Sequence, residues 1–220
     1  MKGFKTKKEH EIASLTKVMT FYCAYIVVIK YYLIVDKLEL LVDREAEIMM
    51  GTKANLLKDE LVTLQDLLYG LMLNSGNDAA HVITRNLGAM ISKKNRGEYF
   101  SPYDIRSEPA KDEYLKMFVC LMNSAAKELK MNQTRFYNSH GMVDNVSTVR
   151  DLAKVTYECL KIPLFCKVVA TKKHLGKARF VNSLGQVELR QLQFTNTNKL
   201  LQNPCYKGVK TGYSQQSGGI

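Results

Sequence analysis

Three short groups of residues carry atoms suited to acyl transfer. In Ser14-Leu15-Thr16-Lys17 a hydroxyl and an ammonium stand three positions apart. On a helix that spacing puts both on one face, so the amine can lie beside the hydroxyl. Burial and neighbouring cations lower a lysine pKa, and a neutral amine can then take the serine proton and create a nucleophile. Ser75-Gly76-Asn77 follows the apolar run Leu71-Met72-Leu73. A rigid turn there would aim a hydroxyl and an amide into a cleft, the first to relay a proton and the second to hold a substrate carbonyl. In Lys210-Thr211-Gly212 the lysine and threonine suit a carboxylate, and the glycine lets a ligand approach an extended backbone. Each group alone has a plainer reading, as a helix cap, a permissive turn or an exposed strand end.

The elements that must hold these groups follow from the apolar pattern. Residues 14–35 read as one helix, apolar almost all round and therefore central. Residues 40–42 form a short apolar run, with a charged stretch after it at 43–47. Thr63 with Asp66 resembles a capping box that opens a helix to about Leu73, and a second helix starts near Asp78. Residues 92–112 are polar, carry Pro102 and Pro109, and read as an inserted surface loop. Residues 114–129 return to helical spacing. Ser147 or Thr148 caps a further helix to about Leu160, which Pro163 ends. Residues 179–194 alternate as a strand pair around Leu184-Gly185, and residues 206–213 read as a strand carrying the third group. Helices first and strands late give an α+β chain, read as one domain over residues 1–220.

A hydrophobic content of 46% with 24% charged residues is that of an ordinary globular chain. The net charge of +11 would attract polyanions. Its densest run, Lys2, Lys5, Lys7 and Lys8, lacks interleaved aromatics, so surface solvation is expected and specific nucleic-acid binding is not. Five cysteines without a CxxC pair read as buried free thiols rather than a disulfide framework or zinc site. The apolar stretch 21–35 contains Lys30 and falls short of the roughly 20 residues that span a bilayer, so it reads as a core helix. Neither membrane association nor a signal-peptide pattern is evident.

The order Ser-x-x-Lys, Ser-x-Asn, Lys-Thr-Gly is the motif set of penicillin-recognising serine enzymes. The flanks sharpen the match. Ala13 to Thr20, Leu73 to Ala80, Asn138-Ser139-His140-Gly141-Met142 with Ser147-Thr148 and Asp151-Leu152-Ala153, and Asn196-Thr197-Asn198 with Gly208 to Tyr213 resemble the low-molecular-mass D-alanyl-D-alanine carboxypeptidases, peptidase family S11. These flanks are worded as in the carboxypeptidases rather than the β-lactamases, and no deacylating Glu motif is seen. The resemblance runs from about Ala13 to Tyr213, outside the insertion.

That resemblance implies a β-lactamase/transpeptidase-like fold, a helical cluster with an antiparallel sheet that is incomplete in this chain. Only 13 residues precede Ser14 and eight follow Gly212, so of the family's five strands essentially the third-motif one is expected. It implies Ser14 as nucleophile on the penultimate D-Ala carbonyl, Lys17 as proton acceptor, and Ser75 and Asn77 in proton shuttling and positioning. Lys210 and Thr211 would bind the terminal carboxylate, with Gly212 and Tyr213 completing the substrate site. The backbone N–H groups of Ser14 and Tyr213 would form the oxyanion hole. The partners implied are peptidoglycan-type peptides ending in D-Ala-D-Ala, with β-lactams as inhibitors. No metal or organic cofactor is implied, His140 is structural, and the family is extracytoplasmic. A reading of different class is an inactive relative that binds peptide or polymer through its basic surface. Covalent labelling by penicillin separates the two.

Overall fold

The computed structural model describes residues 8–106, 111–142, 144–214 and 218–219. The chain opens with β1 (His10–Glu11), a 3-10 turn (Ala13–Leu15) and α1 (Thr16–Lys30). There follow β2 (Glu39–Leu41), α2 (Arg44–Ile48), β3 (Leu61–Thr63), α3 (Leu64–Leu73) and α4 (Asn77–Asn95). After a 3-10 turn (Pro102–Arg106) come α5 (Lys111–Glu128), β4 (Val146–Ser147), α6 (Val149–Cys159) and α7 (Pro163–Ala170). The hairpin β5 (Lys173–Val181) and β6 (Val187–Thr195), a 3-10 turn (Lys199–Gln202), β7 (Tyr213–Ser214) and β8 (Gly218–Gly219) complete it.

Helix α1 is central, packed by α3, α4, α5 and α6. By length and composition Ala13–Lys30 could cross a membrane. Here Phe21, Cys23, Ala24 and Val27 are buried inside the fold, which makes it a core helix. It ends at Lys30 rather than near Val35. Tyr32 adopts the left-handed region (φ 52°), and Tyr32 N and Leu33 N donate back to Ile29 O (3.3 Å) and Val28 O (2.9 Å). Those two bonds are a Schellman stop, which apolar spacing cannot reveal. Leu33 and Val35 then fold back onto the core.

Thr63 caps α3 through Asp66 N (3.2 Å), as expected. The capping box is only half made. The Asp66 carboxylate turns to His174 Nε2 (2.7 Å) and Lys177 N (3.0 Å), and His174 stacks on Tyr69 at 3.6 Å. Thr148 caps α6 through Asp151 N (3.2 Å). Pro163 ends the path of α6 and also begins α7, where its missing N–H costs nothing. Phe165 on α7 meets Phe21 edge-on at 5.0 Å.

The stretch read as a surface loop over 92–112 is partly helical and partly core. α4 continues to Asn95, α5 already starts at Lys111, and Phe100 and Ile105 are buried. Burial of Met90, Ile91 and Ser92 carries α4 onward despite the polar composition around it. The cysteines also divide: Cys23 and Cys159 are buried with thiols pushed up by burial, whereas Cys120 and Cys205 are exposed; all five are free.

The main sheet is antiparallel in the order β2-β3-β5-β6. Its inner face buries Ala178, Leu192 and Phe194 against the helices. β5 begins six residues before the expected Arg179. β1 pairs with β4, and β7 with β8. The strand expected over 206–213 is not formed: residues 206–212 lie outside any ladder, and only Tyr213 of them enters a strand. Local alternation marks an extended backbone, but a strand requires a hydrogen-bonded neighbour, and none among the described residues pairs with 206–212.

α4 and α5 pack tightly at Gly88, where a Cβ would lie 2.0 Å from Tyr114 O. A backbone carbonyl cannot rotate away. Gly88→Ala is therefore expected to destabilise the fold by roughly 1–3 kcal/mol, read as a fall of several degrees in the thermal unfolding midpoint.

Candidate active site

Ser14 lies within the 3-10 turn that leads into α1, not in the helix itself. Ala13 at φ 44° and the Leu15 N to Ile12 O bond (3.0 Å) set this turn. The Ser14–Lys17 pairing survives the change, with Lys17 Nζ 3.2 Å from Ser14 Oγ. Lys17 is wholly buried. Its other two contacts are Asn77 Oδ1 (2.8 Å) and His140 O (2.6 Å). Both are pure acceptors. A neutral amine that gives its two hydrogens to them is left with its lone pair directed at the Ser14 hydroxyl. Burial holds the Lys17 pKa well below its ordinary value, the Lys210 cation adds to this, and Asp78 opposes it.

The second motif arrives between α3 and α4. Ser75 takes a left-handed conformation (φ 58°), and its Oγ donates to Ser14 Oγ at 2.8 Å. The segment 50–56 wraps this turn. Thr52 Oγ1 donates to Ser75 O (2.6 Å), and Thr52 O accepts from Asn77 N (2.8 Å). Asn77 Nδ2 donates to Met50 O (2.8 Å), which orients the amide oxygen towards Lys17 and leaves one amide hydrogen. Asp78, fully buried, accepts from Ala54 N (2.8 Å), Ala79 N (2.8 Å) and Leu56 N (3.2 Å).

A loop from the middle of the chain closes the site from below. Gly141 (φ 79°) lies so near the 3-10 turn of Ser14 that a Cβ would stand 1.9 Å from Ala13 O. Asn145 Nδ2 donates to Thr16 Oγ1 (2.9 Å) and Asn138 O (2.9 Å), while its Oδ1 accepts from Tyr137 N (2.7 Å). Thr20 Oγ1 donates to Ser139 O (2.7 Å). His140 takes part through its carbonyl. Its imidazole, brought to a pKa of about 4 by burial and by Lys17, is neutral and accepts from Met142 N at Nδ1 (3.1 Å).

The third motif lies in a segment that pairs with no strand among the described residues until Tyr213. Lys210 is half-buried, which lowers its pKa to about 8, and its Nζ donates to Thr211 O (2.7 Å). Thr211 Oγ1 and Thr197 Oγ1 share a hydrogen bond of 2.9 Å. Gly212 packs on the turn, where a Cβ would sit 3.5 Å from Leu15 Cγ, and β7 with Tyr213 lies beside the same turn. The side chain of Tyr213 is outside what the structure describes. Ser14, Lys17, Ser75 and Asn77 are thus joined by hydrogen bonds, Gly212 and β7 pack on the Ser14 turn, and Lys210 is near enough to Lys17 to act on its charge, while Thr211 is bonded to Thr197 in an irregular segment.

Thr16, Thr52, Asp78, Thr197 and Asn145 also position the site and were not singled out for it by residue pattern. Nothing in the sequence around Asn145 announces its role, because one of its partners is Thr16, 129 positions away, and the others are the Asn138 side chain and backbone groups of the same loop. One further cluster, Asp43, Glu45 and His81, brings potential ligand atoms within 4.8 Å of one another. The Arg85 guanidinium already takes the cation position there, bonded to Asp43 and to Glu45 (2.9 Å).

The sequence profile described as D-alanyl-D-alanine carboxypeptidase, peptidase S11, matches residues 4–90 and 114–219. A D-alanyl-D-alanine carboxypeptidase of Streptomyces sp. strain K15 is 32% identical over 164 residues, covering 73% of this chain and 49% of that protein. A D-alanyl-D-alanine endopeptidase of Escherichia coli K12 is 29% identical over 210 residues, covering 94% of this chain and 56% of that protein. The chain therefore spans about half the length of these relatives. The crystal structure of the Streptomyces K15 DD-transpeptidase superposes with a TM-score of 0.78 at 28% identity, over 97% of this chain and 75% of that one. The fold is accordingly of the penicillin-binding, transpeptidase-like kind, with helices and antiparallel sheets.

Gly141→Ala is expected to push the 3-10 turn away from Lys17, since its Cβ would overlap Ala13 O and its φ is left-handed. Thermal unfolding should detect a loss of roughly 1–3 kcal/mol. An unchanged midpoint would contradict this close packing.

Proposed function

Because the chain belongs to the D-alanyl-D-alanine carboxypeptidase family, peptidase S11, we propose that it is a serine acyl-transfer enzyme acting on peptidoglycan-type peptides that end in D-Ala-D-Ala. The observation that carries this reading is the buried Lys17 amine, 3.2 Å from Ser14 Oγ with acceptors at its other two contacts. Ser14 Oγ attacks the carbonyl of the penultimate D-Ala while Lys17 Nζ takes the hydroxyl proton. Negative charge develops on the carbonyl oxygen, and the backbone N–H groups of Ser14 and Tyr213 receive it. One such donor is worth about 3–4 kcal/mol in this chemistry. The C–N bond then breaks. Ser75, 2.8 Å from Ser14 Oγ, passes the proton to the leaving amine, and D-Ala departs. Water attacks the ester carbonyl as Lys17 Nζ takes one of its protons; the ester C–O bond then breaks, and Lys17 gives that proton to Ser14 Oγ, restoring the hydroxyl and the neutral amine.

Lys210 and Thr211 hold the carboxylate of the leaving residue, and the remaining amide hydrogen of Asn77 positions the substrate backbone. A β-lactam presents a carbonyl and a carboxylate of similar disposition, so it would acylate Ser14 and remain attached. The relatives' names, carboxypeptidase, endopeptidase and transpeptidase, differ in what leaves and what accepts the acyl group. Attack by Ser14 is the step proposed for this chain under any of them.

A fluorescent penicillin should label the folded chain covalently, and Ser14→Ala should abolish the label. Folded protein that takes no label would overturn the enzymatic reading in favour of a peptide- or polymer-binding relative. Lys17→Ala should slow acylation by about 100-fold or more, the scale of a lost general base. The pH profile has a determined shape. Acylation rises as pH climbs through the depressed Lys17 pKa, because only the neutral amine accepts a proton. It then falls above about pH 8, where Lys210 loses the charge that holds the carboxylate. Stopped-flow acylation across pH checks both limbs, and Lys210→Arg should flatten the upper one.

A further inference from the structure

The β5–β6 hairpin departs from the usual division of an antiparallel sheet, in which one face packs on the core and the other is polar. Its even-numbered Ala178, Leu192 and Phe194 fill the inner face. The odd-numbered side chains point the other way. Among them Leu175, Val181, Val187 and Leu189 are aliphatic, yet each is between 58% and 64% exposed. Val181 stands directly across from Val187, and Leu189 lies two positions further along the same face, opposite Arg179. These three make one patch, and the turn beyond them carries the exposed Leu184. β3 pairs with Ala178 and Arg179, and past Arg179 the two strands of the hairpin pair only with each other among the described residues. An apolar patch left in water on a formed sheet marks a surface that something covers.

Charge selects the occupant. Lys173 and Lys177 are exposed on the same outer face as the aliphatic residues. Arg179, also outward, is bonded to Glu39 on β2 (3.0 Å) and to Tyr103. The one acid between Lys173 and Thr195 is Glu188, which is even-numbered, faces away and accepts from Asn182 Nδ2 (2.6 Å). The outer face therefore offers cations and hydrocarbon, and no carboxylate beyond the Glu39 already paired. A second copy stacked on this face would set lysine against lysine, and a net charge of +11 opposes that approach. A soluble polyanion would satisfy the lysines but leave the valines and leucines in water. An anionic bilayer satisfies both, with lipid phosphates for the ammonium groups and the upper acyl chains for the aliphatic ones.

We infer that the outer face of the β5–β6 hairpin is a docking surface for a bilayer containing anionic phospholipid. The hairpin lies along the headgroups and crosses nothing, and α1 stays in the core of the fold. Lys173 and Lys177 supply the electrostatic part of the attachment, and Val181, Val187 and Leu189 supply the hydrophobic part. The inference is independent of the reading of Ser14 as nucleophile.

The chain contains no tryptophan, so Leu189→Trp places a single fluorophore in the face. Vesicles of phosphatidylcholine with phosphatidylglycerol should shift its emission to the blue, and lipids brominated high on the acyl chains should quench it. Vesicles of phosphatidylcholine alone should do neither. In co-sedimentation with the same anionic vesicles, Lys173→Glu with Lys177→Glu should weaken binding roughly tenfold or more, and so should Val181→Ser with Val187→Ser. Lys116→Glu with Lys127→Glu, the same charge reversal on α5, should change it far less. Failure to bind anionic vesicles, or an equal loss with the α5 pair, overturns the inference. Binding that survives the two serines also overturns it, in favour of a general attraction to polyanions. A dimer seen by sedimentation velocity and abolished by those serines would give the face to a second copy instead.

Discussion

The structure is organised around one buried amine. Lys17 has no access to water, and an ionised ammonium in that position would be costly unless every hydrogen were matched. The fold meets that constraint by bringing three acceptors from distant parts of the chain: Ser14 Oγ, Asn77 Oδ1 and His140 O. Burial that would otherwise be a defect lowers the pKa, and the contacts then allow a neutral amine with an oriented lone pair. Stability and chemistry therefore bear on the same atoms.

Much of the surrounding architecture serves to hold those acceptors still. Left-handed turns at Ala13 and Ser75 aim the two hydroxyls at each other. Such conformations cost of order 1–3 kcal/mol each and persist only where neighbours overdetermine them. The neighbours are identifiable. Thr52 and Asp78 tie the second turn to segment 50–56, while Asn145 and Gly141 lock the middle loop beneath the first. The third motif has less support. Lys210 and Thr211 are placed by Thr197, by the packing of Gly212 on Leu15 and by β7, not by a sheet interior. The better supported half of the site is the one that holds Ser14, Lys17, Ser75 and Asn77 together.

The main sheet lies on the other flank of this arrangement and has a second consequence. Its hairpin packs Ala178, Leu192 and Phe194 inward, and β6 has no strand beyond it among the described residues. Asn74, one residue from Ser75, reaches that edge through Thr195 N. The Ser75 turn and the outer edge of β6 are thus joined by one side chain.

The amino-acid sequence by itself determined the three motifs, their order and most of the helices that carry them. Caps such as Thr63 and Thr148 and the apolar run of α1 are local features, set by neighbours a few positions apart. The stop of α1 at Tyr32, the helical and core residues within 92–112, and the start of α7 at Pro163 escaped the pattern. Each depends on backbone geometry or on burial supplied from elsewhere. The alternation over 206–213 misled for the converse reason, since a strand is a relation between two segments. Only the tertiary structure decided that Lys17 is wholly buried, that His140 acts through its carbonyl, and that Asn145 holds Thr16. Those outcomes rest on contacts between residues 60 to 129 positions apart, and no local periodicity records a partner at that distance.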